Sequence, residues 1–173
     1  MSETLKKLQE FRDTVVKEAR ANLQRMNKNS SGKLSDSIQG EVKQMPNSIG
    51  VYFEMEAYGN FQDQGVNGLK HNHNAPYSFR KGFPSREMLA SLDKWIIKRG
   101  IAPRNAKGKF TSRTGLKFAV AKSIFNKGIK PSFFFTKPFN EHYKNLPDEL
   151  IDKYGLDVEK DVLQILDENL KTR

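Results

Sequence analysis

His71 and His73 stand two residues apart in a polar stretch, and Asp63 and His142 are the side chains that could complete a ligand set around a divalent metal. Imidazole nitrogens with a carboxylate are the donors of a hydrolytic metal centre, so metal-assisted nucleic-acid cleavage is the first chemistry to weigh. Alanine at both histidines would then abolish a metal-stimulated cleavage. Nucleases built on His, Asn and His disperse those residues through a ββα-metal unit, and the adjacent triplet His71-Asn72-His73 is not that motif. Two histidines in a polar loop are ordinarily solvated, and sites are recognised by a full ligand set, so no metal, cofactor or catalytic residue is assigned. Other reactive patterns are missing. No phosphate-cradling Gly-x-x-x-x-Gly-Lys-Ser/Thr run and no Gly-x-Ser-x-Gly elbow occurs. There is no cysteine, which excludes disulfides and thiolate metal sites. Asp148, Glu149 and Asp152 read as helix-start and solvent-facing charges rather than as an acid–base pair.

The strongest signal is electrostatic. Between Lys94 and Asn140 lie twelve Lys or Arg and no Asp or Glu, more than the whole net charge of +10. Such a block either meets something negative, nucleic acid or an acidic protein face, or is a solvated face with no partner. Its centre is Arg104 to Arg113, where Arg104, Lys107, Lys109 and Arg113 are the candidate contacts to DNA or to an acidic partner. The composition of that loop favours mobility when unbound. Residues 144–173 carry five basic and eight acidic groups, so the acidic tail of one copy could attract the basic middle of another, as head-to-tail contacts require.

The elements that must position these charges can be read from periodicity. Leu5, Leu8, Phe11, Val15, Ala19, Leu23 and Met26 recur at spacings of three and four, a helix that Ser2 caps and that ends at Asn27 to Gly32. Ile38–Gln44 and Ile49–Met55 flank Pro46-Asn47 as a hairpin, with period two in the second strand. Tyr58 to Gly68 packs three glycines and two aromatics into eleven residues and reads as a sharp turn that either puts rings on a surface or is anchored by them. Residues 69–84 are irregular. A helix runs from Ser85 to Arg99 with Met88, Leu92, Trp95 and Ile96 inward, and another from about Thr114 to Lys127 with Phe118 and Phe125 at core spacing. Arg99-Gly100-Ile101 and Lys127-Gly128-Ile129 share one stop chemistry. Three phenylalanines, Phe133 to Phe135, are buried on both faces or give one ring to a partner. The tail reads as two helices broken at Gly155. Asp157 caps the second, and Val158, Val162, Ile165 and Leu166 form a face that packs on the body or on a neighbour.

The order of these pieces resembles the tail-completion, or head–tail joining, proteins of tailed bacteriophages. The features that carry the likeness are the N-terminal helix, Gly32-Lys33-Leu34-Ser35-Asp36-Ser37-Ile38 entering a strand, the segment Tyr58-Gly59-Asn60-Phe61-Gln62-Asp63-Gln64-Gly65, and a Pro-Phe-rich strand at Pro131 to Phe139. The likeness spans about Leu5 to Phe139, and the chain departs from it at 69–113 and in its acidic tail. It implies a structural part of the virion, not an enzyme. Such a part is assembled in the bacterial cytoplasm and joins neck to tail around the DNA channel, usually as a ring, often of six. Its partners would be copies of itself, neighbouring neck, tail-terminator or tail-tube proteins, and DNA in the channel.

The expectation is therefore one α+β domain over residues 1–173. It comprises an N-terminal helix, an antiparallel hairpin or small sheet packed by helices, an inserted basic segment at about 69–113, and an acidic helical extension at about 141–173. Tyr58, Gly59, Phe61, Asp63, Gly65, Phe133, Phe134, Phe135, Pro138 and Phe139 are the expected interface residues. The competing function is a basic nucleic-acid-binding protein, in which Phe110, Phe118 and Phe125 stack on bases beside the cations. No run approaches the ~20 apolar residues of a membrane span, and the charged opening residues Glu3, Lys6 and Lys7 are unlike a secretory leader.

Overall fold

The apolar stripe that begins at Leu5 forms α1 (Glu3–Arg25), and Ser2 Oγ accepts from the Leu5 N–H at 3.4 Å as its cap. The computed structural model describes residues 2–28, 31–46, 48–80, 83–104 and 107–171, with side chains to Gln164. The turn residue Asn47, part of the expected stop at Asn27 to Gly32, and Asn105 and Ala106 of the basic loop lie outside the described residues, as do the side chains of Ile165 and Leu166. The chain forms two compact units, Met1–Glu56 with Phe134–Arg173, and Ala57–Phe133.

In the first unit, α1 buries Leu8, Phe11, Val15, Ala19 and Leu23. The short helix α2 (Lys33–Ser37) follows, then the antiparallel hairpin β1 (Gln39–Met45) and β2 (Ser48–Glu54), paired from Gln39↔Glu54 to Met45↔Ser48. The Gly-x-Leu-x-x-Ser-Ile segment is thus a helical joint before the strand. Leu34 and Ile38 enter a core with Ala19, Leu23 and Phe134, while Ser37 Oγ donates to the Leu34 carbonyl and accepts from the Glu56 N–H. A second core joins Leu8, Phe11, Val15 and Leu146 to Val42, Val51 and Phe53 of the hairpin.

Pro131 to Phe139 is not a strand. Phe133 turns the chain at φ 51°, and α6 (Thr136–Tyr143) starts three residues on. That turn separates the three phenylalanines. Phe134 is 0% exposed in the first core, Phe135 and Phe139 meet Phe53 edge-on at 5.3 and 5.9 Å, and Phe133 is left 49% exposed.

α7 (Leu146–Lys171) runs through Gly155 without a break. One helical glycine costs only about 1 kcal/mol, which the flanking helix formers outweigh. Asp157 is therefore an interior residue and does not cap its own helix. It caps α1 instead: its carboxylate accepts from the N–H groups of Glu3 and Thr4 at 2.8 and 3.0 Å and from the hydroxyls of Ser2 and Thr4 at 2.6 and 2.8 Å. A carboxylate at a helix N-terminus meets both free donors and the positive end of the dipole.

The Ser2 hydroxyl, followed by the Thr4 and Glu3 amides, holds the Asp157 carboxyl well below the usual range. A carboxyl with a lowered folded pKa stabilises the fold above its unfolded value, about 3.9, and loses that contribution as pH falls toward the folded value. Asp157→Asn is expected to unfold at lower temperature than the native chain at pH 7, with the gap closing below about pH 4. Thermal unfolding across a pH series reads this directly, and a gap independent of pH contradicts the clamp.

In the second unit, α3 (Tyr58–Gln64) replaces the expected sharp turn, and Gly65 closes it with its N–H on the Phe61 carbonyl at 3.0 Å. Three two-residue strands follow: β3 (Val66–Asn67), β4 (Tyr77–Ser78) and β5 (Gly128–Ile129). β3 is central, parallel to β4 and antiparallel to β5. α4 (Arg86–Lys98) and α5 (Arg113–Lys127) pack on each other, capped by Ser85 and Ser112. α4 ends in paired bonds, Ile101 N–H to Ile96 and Gly100 N–H to Ile97, around a left-handed Gly100. Gly128 is different. It also has positive φ, but its extended ψ feeds β5, so the shared Gly-Ile spelling hides two kinds of ending.

Candidate functional site

The two units divide the charge. Ala57–Phe133 holds fifteen Lys or Arg against three Asp or Glu, a net +12, while the other unit holds fifteen against seventeen. Eleven of the twelve cations of the basic block, all but Lys137, are therefore built into one folded body. On α4, Lys94 and Lys98 are exposed; on α5, Lys122 and Lys127 are. Between the helices sits Asp93, whose Oδ1 lies 3.0 Å from Arg113 Nε and 3.2 Å from Lys117 Nζ. Neither cation aligns a hydrogen bond on that oxygen, so the contact is charge neutralisation by proximity.

This changes the role of one expected contact. Arg113 is the first residue of α5 and ties α5 to α4, so its charge is partly spent inside the unit. Arg104 is organised as well: it bridges Phe110, stacks over that ring at 4.1 Å, and donates to the Gly108 carbonyl at 3.0 Å. Lys107 and Lys109 lie exposed within the span that the Arg104–Phe110 contact closes. Phe118, expected in the core with Phe125, is 46% exposed, while Phe125 is buried against Phe79 at 4.8 Å. Residues seven apart share a helix face but lie about 10.5 Å from each other along the axis, so cover at Phe125 does not reach Phe118.

Of the expected interface residues in α3, Tyr58 and Phe61 are on the surface, and Phe61 meets Tyr77 edge-on at 4.8 Å. Gly59 is buried. Asp63 is 2% exposed, and its carbonyl accepts the N–H groups of Ser132 and Phe133, both at 2.9 Å. Gly65 is the helix stop. Phe134 and Pro138 are withdrawn into the first unit's interior, and Phe135 and Phe139 belong to its aromatic cluster, so of the 133–139 segment only the Phe133 ring is offered outward.

The histidines have structural work. His73 Nε2 shares a hydrogen bond with the Lys127 carbonyl at 2.6 Å, and the His71 carbonyl accepts from Gly68. Among the described residues no three His, Asp or Glu side chains converge on a metal position. The loop is instead arranged by Asn67. Its Nδ2 donates to the Ala75 carbonyl at 2.7 Å and Ser78 Oγ at 3.1 Å, and its Oδ1 accepts from the His73 and Ala75 N–H groups at 2.8 and 3.1 Å. Asn67→Ala strands these partners and is expected to cost about 1–3 kcal/mol. Amide exchange should speed at His73 and Ala75 first; unchanged protection there contradicts the role.

Sequence reasoning missed a groove of about 510 Å3 beside β4, lined by Phe61, Val66, Tyr77, Phe79, Arg80 and Ile129. Its aromatic spacing at Tyr77 and Phe79 was visible, but the strand is too short to announce itself. Among the described residues no helix is long and apolar enough to cross a membrane. No family model, curated protein or solved structure matches the chain.

Proposed function

We propose that this chain is a structural virion protein of a tailed phage, a tail-completion or connector part that joins neck to tail as a ring of copies around the DNA channel. The observation that carries the reading is the sorting of charge, with a net +12 on one folded unit and an acidic helix, α7, on the other. An object with one strongly positive body and one acidic arm is suited to repeated contact between copies or layers. The exposed rings of Tyr58, Phe61 and Phe133 add surfaces that an assembly would cover. Reversing Arg104, Lys107 and Lys109 is expected to block assembly or DNA retention with the monomer still folded. Arg113 is left native in that variant because it holds Asp93. Normal infectious particles from the three-charge variant would sink the proposal.

One observation favours the alternative, a nucleic-acid-binding protein. Phe83 is 87% exposed, and Phe110 and Phe118 are also on the surface of the basic unit, where rings beside cations can stack on bases. Duplex and single-strand binding across a salt series separates the two. Tight binding that falls steeply with salt, in a protein absent from particles, supports the alternative.

A further inference from the structure

Along α7, Ile151, Tyr154, Val158 and Val162 recur at spacings of three, four and four, and all are exposed, from 42% at Val158 to 70% at Ile151. Such spacing makes one stripe on a helix, here about 16 Å long. The acids Asp148, Asp152 and Glu159, also exposed, recur along one flank of it. The cation Lys160 lies on the side toward α1, where its Nζ is 3.6 Å from Glu3. The stripe is therefore apolar with a negative border.

The outer face of α4 has the opposite character. Ile97 is exposed on it, with Ile101 just past its end, and Lys94 and Lys98 run beside them. Lys94, Ile97 and Lys98 fall within one helical stripe, and Ile101 follows the left-handed Gly100 just past its end. The two faces carry exposed apolar side chains with charged borders of opposite sign, so they match in chemistry. We infer that α7 of one copy docks on the outer face of α4 of a second copy, with Ile151, Tyr154, Val158 and Val162 covering Ile97 and Ile101, and Asp148, Asp152 and Glu159 facing Lys94 and Lys98. The contact uses different patches on the two copies, so it is heterologous and closes into a ring or extends as a filament. The inference deepens the connector reading by naming the surface through which copies meet, and it rests on that reading for self-assembly alone.

The test is a charge exchange in the full chain. One variant carries Asp148→Lys, Asp152→Lys and Glu159→Lys; the other carries Lys94→Glu and Lys98→Glu. All five side chains are exposed, and circular dichroism confirms that each variant folds. Sedimentation velocity over a concentration series is expected to show the native chain associating and each variant alone weakened at least about tenfold, since like charges then face each other across the contact. Mixing the two variants restores complementary charge at every contact and is expected to restore association. Oligomers that persist in both variants overturn the docking surface while leaving self-assembly standing. A native chain that stays monomeric throughout overturns the docking and removes its support from the ring. Rescue only when both sets of changes share one chain, with none in the mixture, places α7 on its own copy and overturns the docking between copies.

Discussion

Gly128→Ala is expected to destabilise the Ala57–Phe133 unit by about 2–5 kcal/mol, combining the cost of a side chain at positive φ with that of overpacking. Gly128 sits at φ 76°, and a Cβ placed there would run into the carbonyl oxygen of Val66 and the backbone of Gly68. Those are main-chain atoms of the β3–β5 pairing and cannot rotate away. The crossing holds the sheet that supports Phe125, Asn67 and the loop to Ser78, so its loss should open the basic unit as a whole. Proteolysis and amide exchange would report new exposure between residues 57 and 133 with the α1 core still protected. Gly155→Ala is the contrast. Nothing lies within 4 Å of that position, which is interior to α7, so alanine should stabilise by about 0.5–1 kcal/mol. Equal effects of the two substitutions would contradict the backbone crossing.

Phe134→Ala is expected to cost about 3–5 kcal/mol, the range for truncating a fully buried aromatic. Phe134 is the largest of the side chains without measurable exposure, packed against Ala19, Leu23, Leu34 and Ile38, and its carbonyl accepts from Asn22 Nδ2 at 3.0 Å. A cavity there loosens α1, α2 and the entry to β1 together. Phe133→Ala, one residue earlier, should change stability by less than about 1 kcal/mol because that ring is half in solvent. Denaturant unfolding of the pair measures the difference. A large loss at Phe133 and a small one at Phe134 would reverse the assignment of core and surface.

The contrast within Phe133 to Phe135 also shows what a linear reading can and cannot recover. Periodic elements were legible: the α1 stripe with its Ser2 cap, the hairpin, and the helices α4 and α5 fall where spacing put them, because those signals are local. The α+β class followed from them. Signals failed where one backbone angle or a distant partner decides. A single left-handed residue at Phe133 turns an apparent strand into a turn and helix, and sends three identical side chains to three environments. Asp157 looked like the cap of its own helix because aspartate favours caps. Its partner is the start of α1, some 150 residues earlier in the chain, which no local pattern encodes. Gly155 looked like a breaker, though a single glycine costs a helix little. The basic block was visible as composition, but Arg113 and Lys117 converging on Asp93 depends on how α4 packs against α5.

The central claim is that this chain is a structural joint between neck and tail, and the most direct measurement is to remove it. On the proposed reading, deleting its gene from a tailed phage that carries it is expected to yield filled heads and finished tails that remain apart in electron micrographs. The native chain supplied in trans should restore joined, infectious particles. Normal joined particles assembled without the chain would contradict the account.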